Sequence, residues 1–147
     1  MYKRQVIGFE ESFKQHLQPH HARALILGTG GAALAVEYVL QKLAIPYLYV
    51  SRKSVPDGIN YGQINEDIIN DYKIIINCTP VGTYPNNDDS PELPYLFLTP
   101  DHYLFDLVYN PSLTKFLQQG AAYGATIQNG YDMLIGQAEA AWKIWNE

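Results

Sequence analysis

The residues with the clearest chemical use are Gly28-Thr29-Gly30-Gly31-Ala32-Ala33. They follow the apolar run Ala24-Leu25-Ile26-Leu27 and open a helical run from Ala32 to Leu43. A strand, a glycine turn and a helix in that order build a phosphate site for a dinucleotide. Glycines turn the chain tightly and let backbone N–H groups approach a pyrophosphate that would collide with any Cβ. The first turn of the helix adds unpaired N–H groups and the positive end of its dipole. With Ala33 in the place of a third glycine, the pattern reads G-x-G-G-x-A. Taken alone, it also fits a plain strand-to-helix turn of another α/β protein.

Ser51-Arg52-Lys53-Ser54 follow a second apolar run, Tyr47-Leu48-Tyr49-Val50. A dinucleotide fold that selects NAD places Asp or Glu here, about 20 residues past the glycines, on the ribose 2′-hydroxyl. This chain has no acid there before Asp57. A carboxylate would repel a 2′-phosphate, whereas Arg52 can take it through a two-point contact and stack on adenine. Ser51 offers a further hydroxyl donor. Position and charge sign predict NADP; the competing reading is a solvated basic turn.

Other groups have two readings each. Thr79, in Asn77-Cys78-Thr79-Pro80-Val81-Gly82, follows Ile74-Ile75-Ile76 and stands at a strand's C-terminal end, where open α/β sheets bind ligands. Its hydroxyl suits a cofactor ribose or phosphate, and equally an ordinary turn. Cys78 has no His or Lys beside it in sequence and reads as a small buried side chain. His16, His20 and His21 lack a Cys or carboxylate cluster and read as a solvated helix end, so no metal is expected. Gln137 shares a helical face with Met133 and needs a partner, either a ligand hydroxyl or a backbone group.

The elements that position these groups follow from periodicity. Phe9, Phe13 and Leu17 recur every four residues, which predicts a helix before Pro19, with Glu10 and Glu11 near its start. Residues 21–27, 47–50, 73–77, 103–108 and 125–128 read as strands; those without alternation suit a parallel sheet buried on both faces. The helix after the glycine turn should bury Leu34, Val39, Leu40 and Leu43. Asn65 is placed to cap a short helix through Asp71, and Val55 to Tyr61 reads as a loop. Residues 83–100 read as a surface loop with Leu93 to Leu98 tucked under it. Ser112 to Tyr123 reads as a helix with Leu113, Phe116 and Leu117 inward, stopped by Gly124. Asn129-Gly130 reads as a turn, with Gly130 free to take positive φ, before a closing helix from Tyr131 to Trp145. The fold class is α/β, a Rossmann-type doubly wound, mostly parallel sheet with helices on both faces.

Composition bounds the rest. A chain of 147 residues, 47% hydrophobic and 17% charged, predicts one globular domain over 1–147, with 1–20 as a lead-in and helix. A net charge of −5 argues against general nucleic-acid binding. One cysteine suits a reducing compartment. No apolar run approaches the ~20 residues of a membrane helix, and no apolar signal segment stands behind Lys3-Arg4. Cytoplasmic residence is the expectation.

Several segments together resemble one family. They are Val6-Ile7-Gly8-Phe9, the glycine turn, Ser51-Arg52, Ile75 to Gly82, Asp106-Leu107-Val108-Tyr109-Asn110-Pro111, and Asn129-Gly130-Tyr131-Asp132-Met133-Leu134-Ile135-Gly136-Gln137. In this order they look like the C-terminal half of shikimate dehydrogenase, from Val6 to Trp145. The resemblance implies NADPH-dependent reduction of 3-dehydroshikimate to shikimate, in a cleft between this domain and an N-terminal substrate domain. It implies that Gly28, Thr29, Gly30, Gly31 and Ala32 hold the pyrophosphate, and that Ser51, Arg52 and Lys53 surround the 2′-phosphate. Thr79 would lie along the cofactor; Leu107, Gly130 and Met133 would flank the nicotinamide. Tyr109 and Gln137 would face the substrate, Gln137 bonding one of its hydroxyls.

The departures matter as much. The family's catalytic pair is a lysine of the N-terminal domain and an aspartate of an Asn-Thr-Asp stretch just before Val6, where this chain has Gln5. Thr83 stands where the family often has Met. Three outcomes follow: a cofactor domain inactive alone, an NAD-using quinate/shikimate dehydrogenase relative, or a non-catalytic nucleotide-binding module. An unpaired interdomain face would also promote self-association.

Overall fold

The computed structural model describes residues 2–53, 55, 56 and 58–131. Among them, ten α and β elements follow one another as α1 Tyr2–Lys14, β1 Ala24–Leu27, α2 Gly31–Lys42, β2 Tyr47–Ser51, β3 Gly58–Asn60, α3 Glu66–Asp71, β4 Ile74–Asn77, β5 Tyr103–Asp106, α4 Lys115–Ala122 and β6 Thr126–Gln128. The strands form one sheet in the order β3-β2-β1-β4-β5-β6, and every pairing is parallel. The order reverses between β1 and β4, so a crevice forms beyond their C-terminal ends, where doubly wound sheets bind ligands.

The sheet is buried on both faces because helices cover both. Ala24, Ile26, Ile74, Ile76, Tyr103 and Phe105 point to the side covered by α1 and α2, where Phe9, Phe13, Val36, Val39 and Leu40 pack. Leu25, Leu27, Ile75 and Leu104 point the other way, against Ile69 of α3, Leu98, and Phe116 and Leu117 of α4. Phe9 and Phe13 stack with ring centroids 5.0 Å apart and are fully enclosed. Burial of that kind makes α1 part of this domain's own core. Tyr103 donates its hydroxyl to the Phe13 carbonyl at 2.9 Å, and Gln128 donates to the Ser12 hydroxyl at 3.1 Å, which fixes α1 across β5 and β6.

Several expectations need correction. Gly58–Asn60 is a strand, not loop: it pairs in parallel with Tyr49–Ser51. Three residues are too few for periodicity to register. A Cβ at Gly58 would lie 2.4 Å from the Tyr49 carbonyl oxygen, so close strand approach demands glycine there. α1 begins at Tyr2, so Glu10 lies well along it and instead pairs with Lys42 of α2 at 2.9 Å. Leu17 lies beyond that helix but still packs on the core. Leu34 is exposed, because α2 turns its Ala33, Val36 and Leu40 face to the sheet. α4 starts at Lys115 rather than Ser112, since the Thr114 hydroxyl accepts from the Leu117 N–H at 3.3 Å and sets the cap; Leu113 precedes it and is exposed. The Asn65 cap on α3 is present, with its side chain accepting from the Ile68 N–H at 3.0 Å.

Candidate functional site

The strand ends are laced together before any ligand is considered. Gly28 N–H donates to the Val50 carbonyl, Cys78 N–H to that of Leu27, Leu107 N–H to that of Asn77 and Gly130 N–H to that of Val108, at 2.8, 2.9, 3.1 and 3.3 Å. Gly28, the Cys78-Thr79 turn, Leu107 and Gly130 therefore lie along one edge of the sheet.

The turn after β1 is open. Gly28 has φ +100°, a left-handed conformation that favours glycine, and a Cβ on it would meet the Thr79 methyl at 2.9 Å. A Cβ on Gly30 or Gly31 would meet nothing within 4 Å. Gly30 is the N-cap of α2 and supplies no side-chain bond to the first turn. The start of this twelve-residue helix thus has no side-chain cap, while the Ala33 N–H turns back to the Gly30 carbonyl at 3.1 Å; Thr29, Gly30 and Gly31 are exposed and Ala32 is half-buried. This arrangement fits a diphosphate: the dipole end and backbone donors are present, and no side chain fills the place of the anion.

The loop after β2 supplies the cation. Pairing of Ser51 with Asn60 in β3 sets Arg52 beside Tyr61. Burial pushes the Tyr61 hydroxyl pKa up, and the nearby Arg52 charge opposes that shift. Arg52 and Lys53 are exposed, while the Ser51 hydroxyl donates to the Lys53 carbonyl and closes the loop. Tyr61 was not visible as a neighbour of this site in the sequence, because only the short β3 brings it there.

A second polar group lies deeper. Asp106 is fully enclosed at the end of β5. Its Oδ1 accepts from Asn77 Nδ2 at 3.1 Å and from the Val108 N–H at 3.0 Å, and its Oδ2 accepts from the Thr114 hydroxyl at 2.7 Å. Asn77 Oδ1 in turn accepts the Thr79 hydroxyl at 2.6 Å and the Thr79 N–H at 3.1 Å. Thr79 Oγ1 accepts from the Val81 N–H at 3.2 Å. The Thr79 hydroxyl is thereby committed to its own turn, and its methyl is the part that meets the glycine turn. Burial raises the Asp106 pKa to about 6, against the lowering effect of the Thr114, Val108 and Asn77 bonds. Burial likewise pushes the Cys78 thiol up, helped by the Asp106 charge, which suits an inert side chain. One sequence signal marks this network: a carboxylate ending the apolar run Tyr103-Leu104-Phe105.

Gly130 is required by close packing. It does not have positive φ; a Cβ there would fall 2.1 Å from the Leu107 carbonyl oxygen. Close approach of two backbones selects glycine. Leu107 is half-buried beside it, and Tyr109 is exposed beyond the strand end. Met133 and Gln137, with the rest of the closing helix, lie outside the described residues. A cavity of about 330 Å³ opens beside Asn129 and Tyr131, lined also by Ser112, Leu113 and Ile127. Among the described residues, none of the glycine turn lines it.

His21 accepts the Gln18 N–H on Nδ1 at 2.9 Å, and burial lowers its pKa to about 4. His102, which the motif reading passed over, is enclosed and donates from Nε2 to the Ile69 carbonyl at 2.7 Å. Both are structural histidines. Among the described residues, no three His, Cys, Asp or Glu side chains gather as a metal site. No helix among those residues is long and apolar enough to cross a membrane.

Comparison with known proteins gives a consistent picture. No family model matches the chain. It is 31% identical over 158 aligned residues to a shikimate dehydrogenase (NADP(+)) of Caldicellulosiruptor saccharolyticus, covering 98% of this chain and 57% of that protein. It is 36% identical over 135 aligned residues to a shikimate dehydrogenase (NADP(+)) of Methanococcus maripaludis, covering 82% of this chain and 48% of that one. The fold matches the crystal structure of shikimate 5-dehydrogenase from Thermus thermophilus, determined with NADP(H) and shikimate, at a TM-score of 0.81 and 27% identity over 97% of this chain and 56% of that one. The chain spans about half the length of the relatives it matches.

Proposed function

We propose that this chain, which matches the C-terminal, NADP-binding portion of shikimate dehydrogenases along nearly its whole length, binds NADP at the crevice between β1 and β4 and serves the reduction of 3-dehydroshikimate to shikimate. The observation that carries the reading is the pairing of an open, uncapped helix start at Gly30 with an acid-free, Arg52-bearing loop after β2. In this reading Gly28 to Ala32 receive the diphosphate through backbone N–H groups. Arg52, with Lys53, takes the 2′-phosphate, and the Ser51 hydroxyl holds the loop that presents them. Leu107, Gly130 and Met133 form the nicotinamide wall, and the Thr79 methyl supports the phosphate turn. Tyr109 and Gln137 face the substrate. NADPH, when bound, supplies the hydride.

Hydride transfer to a ketone also needs a proton for the new alcohol and a substrate held in line. Gln5, at the position of the family's aspartate, is an amide and cannot supply that proton. We therefore propose that these 147 residues alone bind cofactor without turning over, and that the activity belongs to an assembly with a substrate domain. Its setting, on the single cysteine and the family's metabolic role, is the cytoplasm.

The test is calorimetric titration of the chain with NADP⁺, followed by addition of shikimate while NADPH absorbance is recorded. Saturable one-to-one binding without an absorbance rise is expected. Absence of binding would contradict the cofactor reading, and sustained turnover would contradict the assignment of catalysis to a second domain.

A further inference from the structure

A continuous chain of contacts joins the two ends of the crevice. The Gly28 backbone lies against the Thr79 methyl, so closely that a Cβ on Gly28 would sit 2.9 Å from it. The Thr79 hydroxyl reaches Asn77 at 2.6 Å, and Asn77 reaches Asp106 at 3.1 Å. Asp106 accepts the Val108 N–H at 3.0 Å, and the Val108 carbonyl accepts the Gly130 N–H at 3.3 Å. Gly130 touches the Leu107 backbone. The same carboxylate holds Thr114, the N-cap of α4, at 2.7 Å. One buried side chain thus bonds three segments: the end of β4, the turn after β5 and the start of α4. Among the described residues every buried side-chain nitrogen and oxygen has a hydrogen-bond partner, so this network has no slack.

We propose that Asp106 is a positioning residue: it fixes the distance between the phosphate turn and the Leu107–Gly130 wall, so that a whole dinucleotide is received by both at once. This rests on the NADP reading above. Two binding half-sites help each other only when their spacing matches the ligand, and a misplaced half contributes little. The network touches neither the 2′-phosphate loop nor the leading N–H groups of α2, so the adenosine half should bind without it.

Asp106→Asn isolates the effect. An amide keeps the shape but replaces one acceptor oxygen with a donor. If its oxygen faces Asn77 and Val108, its NH₂ faces the Thr114 hydroxyl, which then has no acceptor. The experiment measures dissociation constants for NADP⁺ and for adenosine 2′,5′-bisphosphate, which carries only the 2′-phosphate half. The expected result is about a tenfold weaker NADP⁺ complex in Asp106→Asn, with the bisphosphate unchanged within about twofold. Thr114→Val should reproduce this pattern and Thr114→Ser should restore wild-type values, which keeps the test valid if Asp106→Asn folds poorly. Equal losses for both ligands, or none for either, overturn the proposal, as does equal wild-type affinity for the two. A wild-type chain that binds neither ligand overturns the NADP reading itself and is thereby distinguished from failure of the brace.

Discussion

Two polar regions meet at the same edge of the sheet and are built in opposite ways. The glycine turn after β1 opens a helix that no side chain caps, and a Cβ on Gly30 or Gly31 would meet nothing within 4 Å. The network around Asp106 leaves nothing open: each donor that reaches the carboxylate is spoken for by an atom of the protein. The first is a helix start without a side-chain partner, the kind of end that suits an anion. The second is satisfied internally and holds shape. The proposed ligand surface is therefore the region without side-chain caps, and the proposed brace is the region whose hydrogen bonds are closed.

Removing the centre of the closed region should have the largest effect. Asp106→Ala leaves the Asn77 amide, the Val108 N–H and the Thr114 hydroxyl without their acceptor, and buried unpaired donors cost roughly 1–3 kcal/mol each before relaxation. A loss of about 3 kcal/mol or more in urea unfolding is expected; a loss below about 1 kcal/mol would show that the region is not closed.

The same carboxylate gives a signed pH effect. Its folded pKa of about 6 lies above its ordinary 3.8, so the folded state holds the proton more tightly than the unfolded state between these values. The wild type should therefore lose stability relative to Asp106→Asn as pH rises from about 4 to about 6, by roughly 2–3 kcal/mol, and the difference should level off above that. The titratable groups that sense this charge are Cys78 and Tyr95, both shifted upward and neutral throughout the window. No ion pair among the described residues involves Asp106. A wild-type curve parallel to that of the variant over the window would refute the direction.

The open region should respond in binding and hardly at all in folding. Gly31→Ala adds a methyl into open space at the first residue of α2. Alanine there should change stability by no more than about 0.5 kcal/mol, in the favourable direction, while NADP⁺ binds more weakly because the methyl enters the anion's place. Thermal unfolding and titration on the same sample separate the two quantities. A variant equally weakened in both would mean that the turn is structural and not a binding surface.

Much of this edge is legible in the sequence because its determinants are local. Gly28 to Ala33 announce a turn by composition, and charge and spacing mark Arg52 as the proposed 2′-phosphate partner. The strand cores were read from unbroken apolar runs such as Ile74-Ile75-Ile76. What was hidden depends on partners far apart in the chain. Asp106 meets Asn77 from 29 residues away, and nothing in either neighbourhood reveals the bond. Gly130 was readable as a needed glycine, but its cause, contact with the Leu107 backbone, belongs to tertiary packing. Leu34 and Leu113 looked like core by spacing alone, and both are exposed because a helix's inward face is decided by what it packs on. The Thr79 hydroxyl has two equal uses in the sequence, and the bonds to Asn77 and Val81 that it makes within its own turn are visible only in the structure.

In the proposed function the loop after β2 reads the ribose phosphate through Arg52. This is tested most directly by titrating wild type and Arg52→Ala with NADP⁺ and NAD⁺ in parallel at fixed ionic strength. The wild type should prefer NADP⁺ by at least about tenfold, equivalent to about 1.4 kcal/mol, and Arg52→Ala should remove most of that preference while leaving NAD⁺ affinity within about twofold. Equal wild-type affinity for the two cofactors, or equal losses for both in the variant, would contradict it.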